Sequence, residues 1–183
     1  MAFTANTAFQ IRRSNDRYDD LQHRTGLYGS FSGSDFTAAD ADAGLLCNIG
    51  DGIPAGGNYM TLAADGAAKL YAANTTDVQR LAAGDNRWAV GNKTLGLGIP
   101  AGVKDDFTEL KVGETYAFGP GNFSTLVTTT NKYARVSDGY LVGSDSAPAS
   151  GYYFELDTEL GIDFFVEANY NAFSRYNLVL REA

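Results

Sequence analysis

From Arg87 onward the chain is a succession of short runs: "RWAV", "TLGLGI", "FTELKV", "TYAFG", "FSTLVTTT", "KYARV", "GYLVG", "YYFELDT", "IDFFVEA" and "SRYNLVLR". Gly, Asn and Asp separate them, and this punctuation narrows the fold more than any other feature. Short runs rich in Tyr, Phe, Val, Ile and Thr between turn residues are how a sandwich or barrel reads. The 21 Gly, 11 Tyr and 11 Phe point the same way, since aromatic residues favour strands and glycine favours tight turns. The expected fold is mainly β: an antiparallel β-sandwich or barrel with one or two short helices and an extended N-terminal segment. At 183 residues the chain suits one domain, which hides roughly 70% of the surface its unfolded chain would expose.

The first residues follow a different pattern. In "FTANTAFQIR", Phe3, Ala5, Thr7, Phe9 and Ile11 fall on one face and Thr4, Asn6, Ala8, Gln10 and Arg12 on the other, the period of a half-buried strand that needs a neighbour. Then "NDRYDDLQHRTG" packs three Asp, two Arg and the single histidine, His23, into twelve residues. Asn15 as N-cap, Asp16 at the positive dipole end, the i,i+4 pairs Asp19/His23 and Asp20/Arg24, and Gly26 as terminator predict a short helix. Residues 1–28 are therefore read as an arm and residues 29–183 as one β-rich domain. "TTDVQRLAAG", from Thr75 to Gly84, predicts a second short helix. "SDFTAADADAG", from Ser34 to Gly44, fits a helical turn or a loop.

One internal echo stands out. "IGDGIPAG" at Ile49–Gly56 and "LGLGIPAG" at Leu95–Gly102 agree at six of eight positions, 46 residues apart. Proline fixes φ and the flanking glycines permit positive φ, so each copy suits a strand ending in a tight turn. Two copies do not make a solenoid or a propeller.

Charge excludes one class of partner. Residues 1–24 hold Arg12, Arg13, Arg17 and Arg24 against Asp16, Asp19 and Asp20, a balance of +1, which leaves −9 on the rest of a chain whose net charge is −8. An acidic body repels phosphate, which argues against nucleic acid. "MAFTANTAF" lacks the basic and apolar regions of a signal peptide, and no apolar run nears the roughly 20 residues of a membrane span. The expectation is a protein made in a cytoplasm, with no membrane partner.

No motif identifies a reaction, and neither a cofactor nor a resident metal is expected. Cys47 and His23 alone cannot build a zinc site, and Cys47 in "AGLLCNIG" reads as a small buried hydrophobe. "GSFSG" has the outline of a nucleophile elbow but carries Phe31 where serine belongs. "VGNKT" resembles the tail of a phosphate loop, yet Asn92 breaks its spacing. "DADAG" has too few ligands for a calcium hand. Glu155, Asp157 and Glu159 share one strand face opposite Phe154, Leu156 and Leu160, the pattern of a solvent-facing strand rather than a glycosidase pair. The aromatics of "GYYFE" and "ANYNAFSRYN" could form sugar-stacking platforms, although packing in a β core accounts for most such residues.

Taken whole, the polar and aromatic N-terminal segment "TAFQIRRSNDRYDDLQHRTGLYGSF", the Ala/Gly-rich short strands and "LKVGETYAFGPGNFSTLVTTTNKYARVSDGYLVGS" resemble the small β-rich decoration or cement proteins of tailed-bacteriophage heads. The resemblance implies a non-enzymatic virion component assembled in the host cytoplasm and sited on the capsid surface. It also implies as partners the major capsid protein and copies of the chain itself, the family often being trimeric. On this reading Phe3, Phe9, Ile11, Arg12, Arg13, Arg17 and Arg24 are the candidate protein-interaction residues, a strand and a salt-bridged element that anchor on another chain. The rival reading is a carbohydrate- or receptor-binding β module of fibre type.

Overall fold

The computed structural model describes residues 7, 9–13, 23–49, 59–64, 67, 69–74, 98–166 and 172–183. The fold is mainly β, as expected. In chain order the first strands are β1 (Phe9–Arg13), β2 (His23–Ser32), β3 (Asp35–Ala38), β4 (Ala41–Asp42), β5 (Leu46–Ile49), β6 (Tyr59–Leu62), β7 (Tyr71–Ala73), β8 (Gly98–Ile99) and β9 (Asp105–Glu109). Then come β10 (Thr115–Phe118), β11 (Phe123–Thr125), β12 (Tyr133–Ser137), β13 (Tyr140–Ser144), β14 (Tyr152–Leu156), β15 (Ile162–Val166) and β16 (Ala172–Glu182). The one helical element among the described residues is a 3-10 turn at Pro120–Asn122.

Five strands close a small barrel. β2 pairs in parallel with β6, and the circuit continues antiparallel through β5, β7 and β9 back to β2. Tyr28, Cys47, Met60, Tyr71, Ala73 and Phe107 fill its interior, joined by Ala41 and Ile99 of the β4–β8 ribbon. The alternate residues Leu46, Leu70 and Ala72 point outward into the second core. Both faces of β5 and β7 are thus buried.

The second layer is an eight-stranded sheet in the order β1-β10-β16-β14-β12-β13-β11, with β15 also on β16. β16 organises it: Tyr176–Val179 pair with β10, Leu178–Glu182 with β14, and Ala172–Tyr176 with β15. Tyr176, Leu178 and Leu180 turn to the core, against Tyr116, Phe118, Ala134, Val136, Phe154 and the outside of the barrel. β14 and β15 read as one strand interrupted by a turn. Leu156 pairs with Leu178 and Ile162 with Tyr176, so residues 157–161 all oppose Asn177. The Gly161 N–H closes that turn on Asp157 O at 2.9 Å.

The β12–β13 hairpin locks the layers together. Ser137 pairs with Tyr140 around Asp138 (φ 48) and Gly139 (φ 76), the two positive-φ residues of a type I′ turn. Gly139 N–H donates to Ala63 O at 3.3 Å, and Gly139 O accepts from Leu46 N at 2.9 Å. A Cβ here would meet Leu62 Cδ2 at 2.5 Å and Leu45 Cδ1 at 3.0 Å. A second tie is Asn122, whose Nδ2 donates to Ala43 O at 2.6 Å while its Oδ1 accepts from Gly119 N at 3.1 Å.

Three expectations need correction. The helix expected from Asn15 to Gly26 does not extend over its last turn, because residues 23–26 are strand paired to β9; closing the barrel outweighs the local i,i+4 signals. The Ser34–Gly44 segment is not helical, since Asp35–Ala38 and Ala41–Asp42 are strands. The expected arm boundary after residue 28 falls inside β2. The helix expected at Thr75–Gly84, the strand "RWAV", the "VGNKT" segment and all but Ile49 of the first GIPAG copy lie outside the described residues. The described part of the second copy, Gly98–Gly102, is a short strand ending in a tight turn: Val103 N–H reaches Pro100 O at 3.1 Å, and Gly102 has φ 78.

Candidate protein-interaction surfaces

The neighbour that the N-terminal strand needs is in its own chain. β1 pairs with β10, Phe9 opposite Phe118 and Ile11 opposite Tyr116. Phe9 stacks on Tyr116 with ring centroids 5.9 Å apart and lies against Phe118 at 5.7 Å, and both Phe9 and Ile11 pack on the sheet core. Arg12 reaches Asp163 at 3.5 Å. Asp163 is gripped more closely by Arg175, through Nε at 2.8 Å and Nη2 at 2.6 Å. Those bonds, chiefly from Arg175, hold the Asp163 carboxyl below its usual value. Arg24 sits at the barrel rim and hydrogen-bonds the Tyr71 hydroxyl, which itself donates to Glu109 Oε2 at 3.5 Å. Arg13 belongs to β1, and Phe3 and Arg17 lie outside the described residues. Of the four anchor residues whose side chains are described, Phe9 and Ile11 serve the core, Arg12 the sheet's outer face, and Arg24 the barrel.

The buried ionisable groups hold structure together. Tyr116 donates to Glu114 Oε2 at 2.6 Å and accepts from Lys111 N at 2.8 Å, fixing the turn between β9 and β10. Burial first, then the bond to Glu114, pushes the Tyr116 hydroxyl well above the usual tyrosine range. Tyr140 donates to Asp42 Oδ2 at 3.3 Å, linking hairpin to barrel. Tyr28 is raised by burial and by its neighbours Cys47, Tyr140 and Asp42, and burial alone raises the Cys47 thiol. A thiol held protonated in an apolar barrel is a poor nucleophile, in keeping with the reading of Cys47 as a packed hydrophobe. Among the described residues no three His, Cys, Asp or Glu side chains cluster as a metal would require.

The carboxylate row of "FELDTEL" is divided. Glu155 stays on the strand face, held by Lys132 Nζ at 3.2 Å and Arg181 Nε at 3.2 Å. Asp157 leaves the strand and is buried. Its Oδ1 accepts from Glu159 N at 2.8 Å and Leu160 N at 2.9 Å, and its Oδ2 from Thr115 Oγ1 at 3.0 Å. The expected solvent-facing row ends at Leu156 because an aspartate that caps a turn can bond its own backbone two and three residues on.

Two surfaces stand out among the described residues. The first is the β2–β3 hairpin, turned by Gly33 and Ser34 between the paired Ser32 and Asp35. Phe31, Phe36 and Tyr59 cluster on it half-buried, with ring centroids 4.5–5.5 Å apart. Gly29 makes this cluster fit, since a Cβ there would strike Phe36 Cζ at 2.6 Å. Ala39 N–H bonds Tyr28 O at 3.0 Å, so by antiparallel alternation the N–H and C=O groups of Phe36 and Ala38 point away from β2. β3 ends its sheet, and these groups have no strand partner among the described residues. In the sequence, the outline of a nucleophile elbow in "GSFSG" hides this cluster, whereas Gly33-Ser34 between Phe31 and Phe36 is itself a hairpin signal.

The second surface is the outer face of β12, β14 and β16. Arg135 pairs with Tyr153 and Tyr153 with Arg181, while Tyr133 opposes Glu155. Arg135 and Arg181 are exposed, and Tyr133 and Tyr153 are half-buried. Of the sugar-platform candidates, Tyr153 lies on this face, Tyr152 packs against the core, and Tyr176 is in it. No protein family, no characterised protein and no solved structure matches the chain.

Proposed function

We propose that the protein is a non-enzymatic structural component of a tailed-phage virion, which decorates or cements the capsid by bridging coat subunits and copies of itself. The open edge of β3 supports this best. A strand edge with outward-facing backbone groups beside three half-buried aromatic rings offers ladder hydrogen bonds together with apolar area, the combination used in strand addition. β1 also ends its sheet, but its Phe9 and Ile11 are packed on the core, so the half-buried rings beside β3 make that edge the better candidate for strand addition. A closed barrel bonded through Gly139 to a sheet also gives a stiff body, which suits a part that braces a lattice. The site of action on this reading is the capsid surface.

The test is Ala38→Pro. It deletes an N–H that faces away from β2, so the internal ladder stays whole while an incoming strand loses a bond. The variant should keep its melting temperature and lose at least about tenfold of its co-sedimentation with shells of the coat protein encoded beside it. Unchanged co-sedimentation would remove β3 from the reading, and a gene neighbourhood without portal, head protease or coat genes would sink the virion assignment itself. The rival saccharide reading rests on the aromatics of "GYYFE" and "ANYNAFSRYN". Tyr152 packs on the core and Tyr176 is buried in it, which leaves Tyr153 alone on the outer face among those whose side chains are described, a short platform for a sugar.

A further inference from the structure

We infer that the outer face of β12, β14 and β16 docks an acidic polypeptide segment, gripped by Arg135 and Arg181 on either side of Tyr153. This site is separate from the β3 edge and does not depend on the partner being a capsid. Among the described residues, three cations, Lys132, Arg135 and Arg181, stand around Tyr153 on this face against one carboxylate, Glu155, while farther along β16 Arg175 and Arg12 share Asp163, in a chain whose net charge is −8. Lys132 and Arg181 neutralise Glu155, and Arg181 uses Nε for that contact. Arg135 is exposed and has no ion-pair or hydrogen-bond partner among the described residues. Such a guanidinium keeps its forked donors available for a carboxylate.

Geometry favours a chain over a small molecule. Arg135 and Arg181 lie on strands two spacings apart, roughly 9–10 Å, and an extended segment crossing them carries alternate side chains about 6.8 Å apart, within reach of both guanidinium groups. Tyr153 between them supplies a ring for the segment's aliphatic stems. Both guanidinium-bearing residues are exposed on a sheet face, whereas a compact ligand requires groups that converge in a concavity.

The experiment titrates the intact chain with poly-L-glutamate and, in parallel, with alginate, by calorimetry at low and moderate salt. Binding of poly-L-glutamate is expected to weaken about two- to fivefold in Arg135→Gln, and about tenfold or more in Arg135→Gln/Arg181→Gln. It should be unaffected in Lys104→Gln, which removes an exposed cation remote from this face on the barrel side. Equal melting temperatures for wild type and Arg135→Gln would show that the loss is not unfolding. The inference is overturned if wild type does not bind poly-L-glutamate, or if Lys104→Gln weakens binding as much as Arg135→Gln. Alginate bound as tightly and with the same variant dependence would mark the face as a saccharide site and overturn it equally. Self-association that vanishes in Arg135→Gln without any poly-L-glutamate binding would assign the face to a second copy instead.

Discussion

The barrel and the sheet solve burial in opposite ways. In the barrel, β5 and β7 are buried on both faces: Cys47, Tyr71 and Ala73 look inward, while Leu46 and Ala72 look toward the sheet. Its charged contacts, such as Lys69–Glu109 at 3.8 Å, lie at the rim. The sheet buries its inner face and carries charge on its outer one, where Arg12, Asp163 and Arg175 form one network and Lys132, Glu155 and Arg181 another. In β5 and β7 the barrel is thus a packing device, while the sheet sets two networks of ion pairs on its outer face. Mutations should act by volume in the first and by charge and hydrogen bonding in the second.

The largest effect should come from emptying the barrel. Phe107 is fully buried in it, and Phe107→Ala should cost about 3–5 kcal/mol, read as a fall in the denaturation midpoint. A loss under about 1 kcal/mol would mean that the barrel collapses around the gap and is not the rigid partner described. Next comes the joint between the layers. Gly139→Ala combines a positive φ with a clash against Leu62 and Leu45, and should cost about 2–4 kcal/mol. If the hairpin is what couples the layers, the variant should also unfold in two steps when fluorescence and circular dichroism are compared. A single unchanged transition would show that barrel and sheet are held together elsewhere.

The smallest effect concerns the sheet's outer face. The folded Asp163 carboxyl titrates below its unfolded value of about 4, so its ion pairs contribute fully above that pH and are lost as pH falls through the lower folded value. Being partly exposed, the network should contribute well under 1 kcal/mol. Melting temperature in the acid range should therefore fall slightly more steeply for wild type than for Asp163→Asn, and identical acid limbs would remove the network from the account.

The same contrast explains what could be read in advance. In the sheet, "YARVS" sends Ala134 and Val136 to the core and "YNLVL" sends Tyr176, Leu178 and Leu180, and β10 and β12 to β16 fall where turn-bounded runs predicted them. The barrel strands "LCNI" and "YAA" carry no alternation, because two cores claim their two faces. Local signals were misleading where long-range pairing decides: His23–Gly26 has helix-like i,i+4 charges upstream but closes the barrel against β9. The candidate surfaces were less legible still. Tyr153 was visible as an aromatic, but its two flanking arginines come from strands 18 and 28 residues away in the chain and meet only through register.

The position of β16 bears on the order in which the molecule can assemble during synthesis. Every strand of the barrel circuit has been synthesised once Glu109 is made, well before the sheet's last strand, so the smaller core has its complete set of strands first. The sheet must wait for residues 172–182, because one late strand supplies the pairing for β10, β14 and β15 together. Until then β10 and β14 have unmatched edges, and Phe118 and Phe154 lack the wall that Tyr176, Leu178 and Leu180 complete. The nascent chain is thus most adhesive in its final third, when a finished barrel and the hairpin seated on it through Gly139 are the scaffold on which that last strand can land.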